Sequence, residues 1–162
     1  MAITLLRHAS VAKEYQKRYL GHSDVDIDES LFDYKKVEAV VSKKFDLVYA
    51  STLKRTGQTL KKLGKNFLVD ARLNEVKFND EIELKNFDEV EQLDSYNVKY
   101  LDSYESWSQY VCCEPLSEFR ARVQSFMDEL PKDKEILICT HGGVLKMLFD
   151  KNFEYLDFHV IS

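Results

Sequence analysis

Four side chains in this sequence are spaced as the binding of an anion would require. Arg7 and His8 close the apolar run "AITLLRHA", Arg55 follows "YASTLK", and His141 follows "ICT" and precedes two glycines. Arginine offers a rigid fork of donors matched to phosphate oxygens. Histidine titrates near neutrality and serves as a nucleophile or a general acid–base group. Two of each, brought together, make a site for a dianion, and phosphate is the natural candidate. A single Arg-His pair arises often by chance, and "THGG" alone is equally a strand-to-helix turn. Weight comes from their recurrence after successive apolar runs.

Those runs read as short buried strands at 2–7, 46–50, 66–70 and 135–140, each apolar, rich in β-branched or aromatic residues, and flanked by polar ones. Helical patterns lie between them. Leu31, Tyr34, Val37 and Val41 recur at helical spacing, with Asp28 ahead of them as N-cap. Leu53, Leu60 and Leu63 form a second stripe that closes on Gly64 as C-cap. Leu116, Phe119, Val123, Phe126 and Leu130 share a third face bounded by prolines, and "GGVLKMLFD" supplies a last helix. Strands alternating with helices of this length predict an α/β layered sheet. Ligands of such sheets bind beyond the carboxyl ends of the strands, where helix N-termini gather. Arg7, His8, Arg55 and His141 are therefore expected to meet in one pocket.

The 162-residue chain fits one domain, and its net charge of −5 argues against a nucleic-acid or anionic-membrane binder. Met1–Leu6 is too short for the apolar part of a secretory signal, and no apolar run approaches the length of a membrane span. Three cysteines, Cys112, Cys113 and Cys139, form no CxxC pattern, so a reduced cytoplasmic setting and structural burial are expected for them. Residues 80–110 are acidic and tyrosine-rich, and read as an insertion or cover over one end of the sheet. Within them Tyr96, Tyr100, Tyr104, Trp107 and Tyr110 have roughly helical spacing, which is more often packing surface than a substrate wall.

The ordered set "LLRHA", "YASTLKRTGQT", "RLNE" at 72–75 and "THGG" resembles the histidine phosphatase, or phosphoglycerate mutase-like, superfamily. "RYLGHSDVDI" (18–27) is similar to that family's Arg-x-x-Gly-x-x-Asp stretch, and "EPLSEFRARV" (114–123) to a family helix preceded by Gly-Glu-Ser. The resemblance implies a three-layer α/β/α sandwich with a mostly parallel sheet. It implies that His8 is a nucleophile forming a phosphohistidine, which requires a neutral ring favoured by the nearby arginines. Arg7, Arg55 and His141 would hold the equatorial oxygens, with Arg18 as a further phosphate-binding residue. Glu75 would be the general acid and then the base; without the resemblance it would read as a solvated loop carboxylate.

The sequence departs from the family pattern at Ala9, where glycine is usual, and at Glu14, where asparagine is often found. Glu14 is expected to turn outward, to pair with Arg18 or Lys17, or to touch the rest of the substrate. After "RLNE" the text is "VKFNDEIE", which retains only Phe78 and the general acidity of the Phe-Gly-x-Trp-Glu-Gly stretch of branches with small substrates. "DVDID" fails as a calcium loop, with Glu29 where glycine is needed and Lys35 at the closing acid. His22 and His159 have no metal-ligand partners and are expected on the surface, and arginines beside His8 and His141 would repel a cation. No cofactor or metal is therefore expected.

The resulting expectation is a single domain over 1–162 and a metal-independent phosphomonoester hydrolase. Its partner would be a small phosphorylated substrate, as in α-ribazole phosphatases. The compact size is also similar to phosphohistidine-protein phosphatases, and the departures leave a non-catalytic phosphate-binding or scaffold member as a further alternative. Oligomeric state is set by nothing in the sequence.

Overall fold

A computed structural model describes all residues from Met1 to Ser162. Five strands, β1 (Ile3–Arg7), β2 (Leu47–Ala50), β3 (Leu68–Val69), β4 (Ile136–Thr140) and β5 (Phe158–Ile161), form one sheet in the order β3-β2-β4-β1-β5. The first four are parallel and β5 runs antiparallel to β1. Six α-helices accompany them: α1 (Glu38–Ser42), α2 (Lys54–Lys62), α3 (Phe87–Glu91), α4 (Tyr104–Val111), α5 (Leu116–Asp128) and α6 (Gly142–Phe149).

Alternation along the central strands builds the layers, because successive side chains point to opposite faces. Leu6, Leu137 and Cys139 enter one core with Val40 of α1 and Leu60 of α2. Their neighbours Leu5, Ile136 and Ile138 enter another with Phe126 of α5 and Leu145 of α6. All five residues of β4 are buried, as a central parallel strand covered on both faces must be. This is the expected α/β/α sandwich with a mostly parallel sheet.

Several local expectations give way. The helix expected over Leu31–Val41 is broken into 3₁₀ turns at Glu29–Leu31 and Tyr34–Val37 followed by the short α1. Asp28 and Asp33 each accept from a backbone N–H two residues on, Ser30 and Lys35, and these local bonds start two separate turns. The strand expected at 66–70 pairs only through Leu68–Val69, which lie on the sheet edge 57 % and 58 % exposed rather than buried. Gly64 does end α2, at a positive φ of 67°. The strand β5 has no forecast in the sequence reading.

Residues 80–110 fold around a small core of Ile82, Val90 and Val111, packed against Tyr19, Phe78 and Trp107. A capping box between Asn86 and Glu89 starts α3, and the Ser103 side chain caps α4. The tyrosines do not lie on one helix: Tyr100 belongs to a 3₁₀ turn and stacks on Tyr110 of α4 at 4.6 Å. Tyr96 and Tyr100 pack on Tyr110, while Tyr104 lies under the Lys146 ammonium. Of the cysteines only Cys139 is buried, its thiol pKa pushed up by burial; Cys112 is half-buried, its pKa pushed up to about 12 by burial and the Glu75 charge, and Cys113 is exposed. His159 is half-buried on β5, its ring 4.5 Å from that of Phe149. No helix is long and apolar enough to cross a membrane.

Candidate active site

The carboxyl ends of β1 and β4 bring the two histidines together. The His8 amide donates to the Thr140 carbonyl at 3.1 Å, and the Ala9 amide donates to Thr59 Oγ1 of α2 at 2.9 Å. The turn after β1 is thus held from both neighbouring elements. Ala9 is fully buried without a positive φ, so the loss of the usual glycine costs no backbone strain. His141, at the N-cap of α6, sets its ring edge-on to that of His8 at 5.3 Å.

Hydrogen bonding decides the tautomer of His8. Its Nδ1 lies 2.8 Å from the Ala9 carbonyl, which can only accept, so Nδ1 carries the proton and Nε2 keeps a free lone pair. Burial holds the His8 pKa well below the ordinary 6.5, and the Arg55 and Arg7 charges push it the same way. His141 is shifted likewise, by burial and then by Arg55. Its Nε2 shares a hydrogen bond of 2.8 Å with Ser51 Oγ.

The arginines sit differently from each other. Arg7 lines the cavity, donates from Nη1 to the Phe153 carbonyl, and lays its guanidinium 4.2 Å over the Tyr155 ring. Arg55 is fully buried and lies behind the cavity wall. Its Nη1 and Nη2 donate to the carbonyls of Ser23 (2.9 Å) and Gly21 (2.8 Å), so it pins the loop carrying "LGHS". Burial lowers its pKa, while the Glu75, Asp24 and Glu83 carboxylates and Tyr155 hold it up.

Glu75 reaches the same place from the loop after β3. Its Oε1 accepts from the Val76 amide (3.0 Å) and its Oε2 from the Gly143 amide in the first turn of α6 (2.9 Å). Burial raises its pKa, against the pull of those two amides, Arg55 and Arg7. The backbone behind it is clamped by Arg122 of α5. Arg122 donates to the carbonyls of Arg72 and Asn74 (2.8 Å each) and of Glu75 (3.1 Å), while Glu114 holds its other donors at 2.7 and 2.9 Å. His22 meets the same loop: although exposed, it places Nε2 at 2.8 Å from the Glu75 carbonyl.

Together these elements surround a cavity of about 390 Å³ lined by Arg7, His8, Glu75 and the loop Asn152–Tyr155. Arg18 lines its rim but commits its guanidinium to the carbonyls of Glu14 and Leu84 and to the Glu89 carboxylate at 2.8 Å. Glu14 is exposed and takes no part in the cavity lining, and its carbonyl rather than its carboxylate meets Arg18. Three buried nitrogens, Arg7 Nε, Arg55 Nε and His141 Nδ1, have no hydrogen-bond partner within the protein.

A family model for the histidine phosphatase superfamily (branch 1) matches residues 3–155. The chain belongs to that superfamily. No curated protein sequence matches it significantly. Among solved structures, this chain is similar to the α-ribazole phosphatase of Shigella flexneri at 21 % identity and a TM-score of 0.78, covering 100 % of this chain and 90 % of that one. It is also similar to the phosphoserine phosphatase of Entamoeba histolytica, crystallised with 3-phosphoglyceric acid, at 16 % identity and a TM-score of 0.79, covering 98 % and 89 %. The mycobacterial glucosyl-3-phosphoglycerate phosphatase gives 16 %, 0.77, 98 % and 88 %. At these identities the likeness establishes the fold.

Tyr155, Ser51, Gly143 and Arg122 are members of this site whose roles the sequence by itself does not give. Arg122 lies in the "EPLSEFRARV" stretch, eight residues from Glu114, and that charge pairing is the signal the sequence carries for it. Tyr155 carried none, because a lone tyrosine in a loop gains meaning only when the chain folds it over Arg7.

Proposed function

We propose that this protein is a metal-independent phosphomonoester hydrolase that works through a phosphohistidine on His8, with a small phosphorylated metabolite as substrate. One observation carries the reading. Arg7 and His141 each keep a buried nitrogen without a protein partner, beside a neutral histidine whose Nε2 lone pair is free. Buried donors left unpaired cost about 1–3 kcal/mol each, and a phosphoryl group presents the acceptors they lack.

In the first step His8 Nε2 forms a bond to phosphorus as the ester P–O bond breaks. The bonding electrons leave with the alcohol oxygen, which takes a proton from Glu75. The desolvation that raises the Glu75 pKa favours the protonated form this step needs. In the second step the Glu75 carboxylate takes a proton from water as that oxygen attacks phosphorus. The N–P bond breaks, releasing inorganic phosphate and returning His8 to its neutral form. Arg7 and His141 stabilise the charge on the equatorial oxygens throughout, with Arg55 adding its charge from behind and Arg18 shaping the rim. No metal is needed in this scheme, because the guanidinium charges supply the electrostatic stabilisation of the phosphoryl oxygens.

A metabolite is favoured over a protein substrate by enclosure: Tyr19 and Phe78, packed on the folded segment 80–110, wall one side of the cavity. A structure similar to that of an α-ribazole phosphatase supports the same size of substrate. The test is turnover of a phosphate monoester in excess chelator. Wild-type activity should persist, and His8→Ala should lower kcat/KM by at least about 10³-fold. Activity surviving in His8→Ala, or abolished by chelator in the wild type, would sink the mechanism.

A further inference from the structure

A second cavity adjoins the first, and its chemistry is different. It measures about 250 Å³ and is walled by Phe78, Tyr104, Trp107, Val111, Leu116 and Phe119, with Glu114, Ser108 and Lys146 as its polar fringe. Tyr19, Phe78, Gly143 and Lys146 line both cavities, so the two meet along those four residues. Tyr104 is 37 % exposed, which makes the second cavity an open recess and not a sealed packing defect.

Position relative to Glu75 gives the recess a meaning. If Glu75 protonates the leaving alcohol, that oxygen lies within a hydrogen bond of its carboxyl group. The carboxyl is itself held 2.9 Å from the Gly143 amide, and both Gly143 and the adjacent Val76 line the apolar recess. The carbon skeleton of the leaving group therefore departs on the side where the aromatic walls stand. The first cavity, by contrast, carries the charged and polar groups Arg7, Lys17, Asn152 and Glu154 in its lining.

We propose that the recess is the leaving-group subsite and that the preferred substrate carries a flat apolar group within a few bonds of its esterified oxygen. The inference rests on the phosphatase reading for the placement of Glu75, and it excludes small polar alcohols as the best substrates. Aromatic walls recognise a planar apolar group by area and by ring-to-ring contact.

Calorimetric binding of two phosphonates to the wild-type chain tests it without requiring turnover. 3-Phenylpropylphosphonate and propylphosphonate are the carbon isosteres of 2-phenylethyl phosphate and ethyl phosphate. Burying one phenyl ring should make the first bind about 50-fold tighter. Leu116→Trp, which fills a half-buried position of the recess wall, should cut that ratio to about 5-fold or less, and a thermal melt confirms that the variant is folded. Equal affinities in the wild type, or a ratio untouched by Leu116→Trp and by a second filling variant, Val111→Phe, would overturn the proposal. If the ratio holds while the corresponding esters are not hydrolysed, the recess binds the apolar group but is no leaving-group subsite, and the phosphatase reading fails with that assignment.

Discussion

Gly143 is where a single methyl group should separate the two halves of the proposed chemistry. A Cβ built there would sit 2.2 Å from Glu75 Oε1 and 2.9 Å from its Cδ, about 1.2 Å inside an ordinary contact of 3.4 Å. The atom it meets ends a side chain held by two backbone amides, so relief means moving the carboxyl group by roughly an ångström and losing the Gly143 bond. Misplacing a reacting group by about 1 Å costs on the order of 10²-fold. Gly143→Ala should therefore lower kcat/KM for ethyl phosphate, whose alkoxide must be protonated, by about 10²-fold. For p-nitrophenyl phosphate, whose phenolate leaves with little help, the loss should stay under about 10-fold. Gly142→Ala is the control. Its Cβ would lie 3.2 Å from Arg7 Cζ and Nε, a few tenths of an ångström too close, and Arg7 faces the phosphoryl group common to both esters. Any loss there should be small and equal for the two substrates. Both positions lie in the first turn of α6, where alanine is favoured over glycine by up to about 1 kcal/mol, so thermal melting should show folded variants. Equal losses on both esters in Gly143→Ala, or none, would refute the assignment of Glu75 as general acid.

Further outcomes follow from burial and charge. With His8 depressed and Glu75 raised, kcat/KM on an alkyl phosphate should fall as pH drops through the His8 pKa and as it rises through that of Glu75. The rate at about pH 5.5 should exceed that at about pH 8. For stability, the unfolded chain protonates His141 near its ordinary pKa while the folded chain does not, so stability is complete above about 6.5 and declines as pH falls below it. Urea titrations should show that His141→Asn removes about 1.4 kcal/mol per pH unit of that decline. Arg122→Ala leaves three carbonyls and the Glu114 carboxylate without their donor, and should destabilise by about 2–3 kcal/mol in denaturant midpoint analysis while lowering kcat/KM most for poor leaving groups. An Arg122→Ala variant of unchanged stability would show that the clamp is incidental.

The sequence alone determined the elements whose signal is local. β1, β2, β4, α2, α5 and α6 are continuous apolar runs or stripes, and such runs bury the same way wherever they are placed. It also determined that Arg7, His8, Arg55 and His141 stand at corresponding strand ends, and α/β topology gathers those ends at one edge. Helix periodicity over Leu31–Val41 was misleading, because Asp28 and Asp33 compete for the backbone with bonds that hydrophobic spacing does not register. Tertiary structure alone decided the rest. The strand β5 exists because β1 offers it an edge to pair with, and four residues of ordinary composition announce no such partner. Only the fold sends the Arg55 guanidinium to the carbonyls of Gly21 and Ser23 instead of into the cavity, lays Tyr155 against Arg7, and opens an aromatic recess beside Glu75. Each of these depends on residues brought together from distant parts of the chain, and direction and enclosure are properties that no one-dimensional spacing contains.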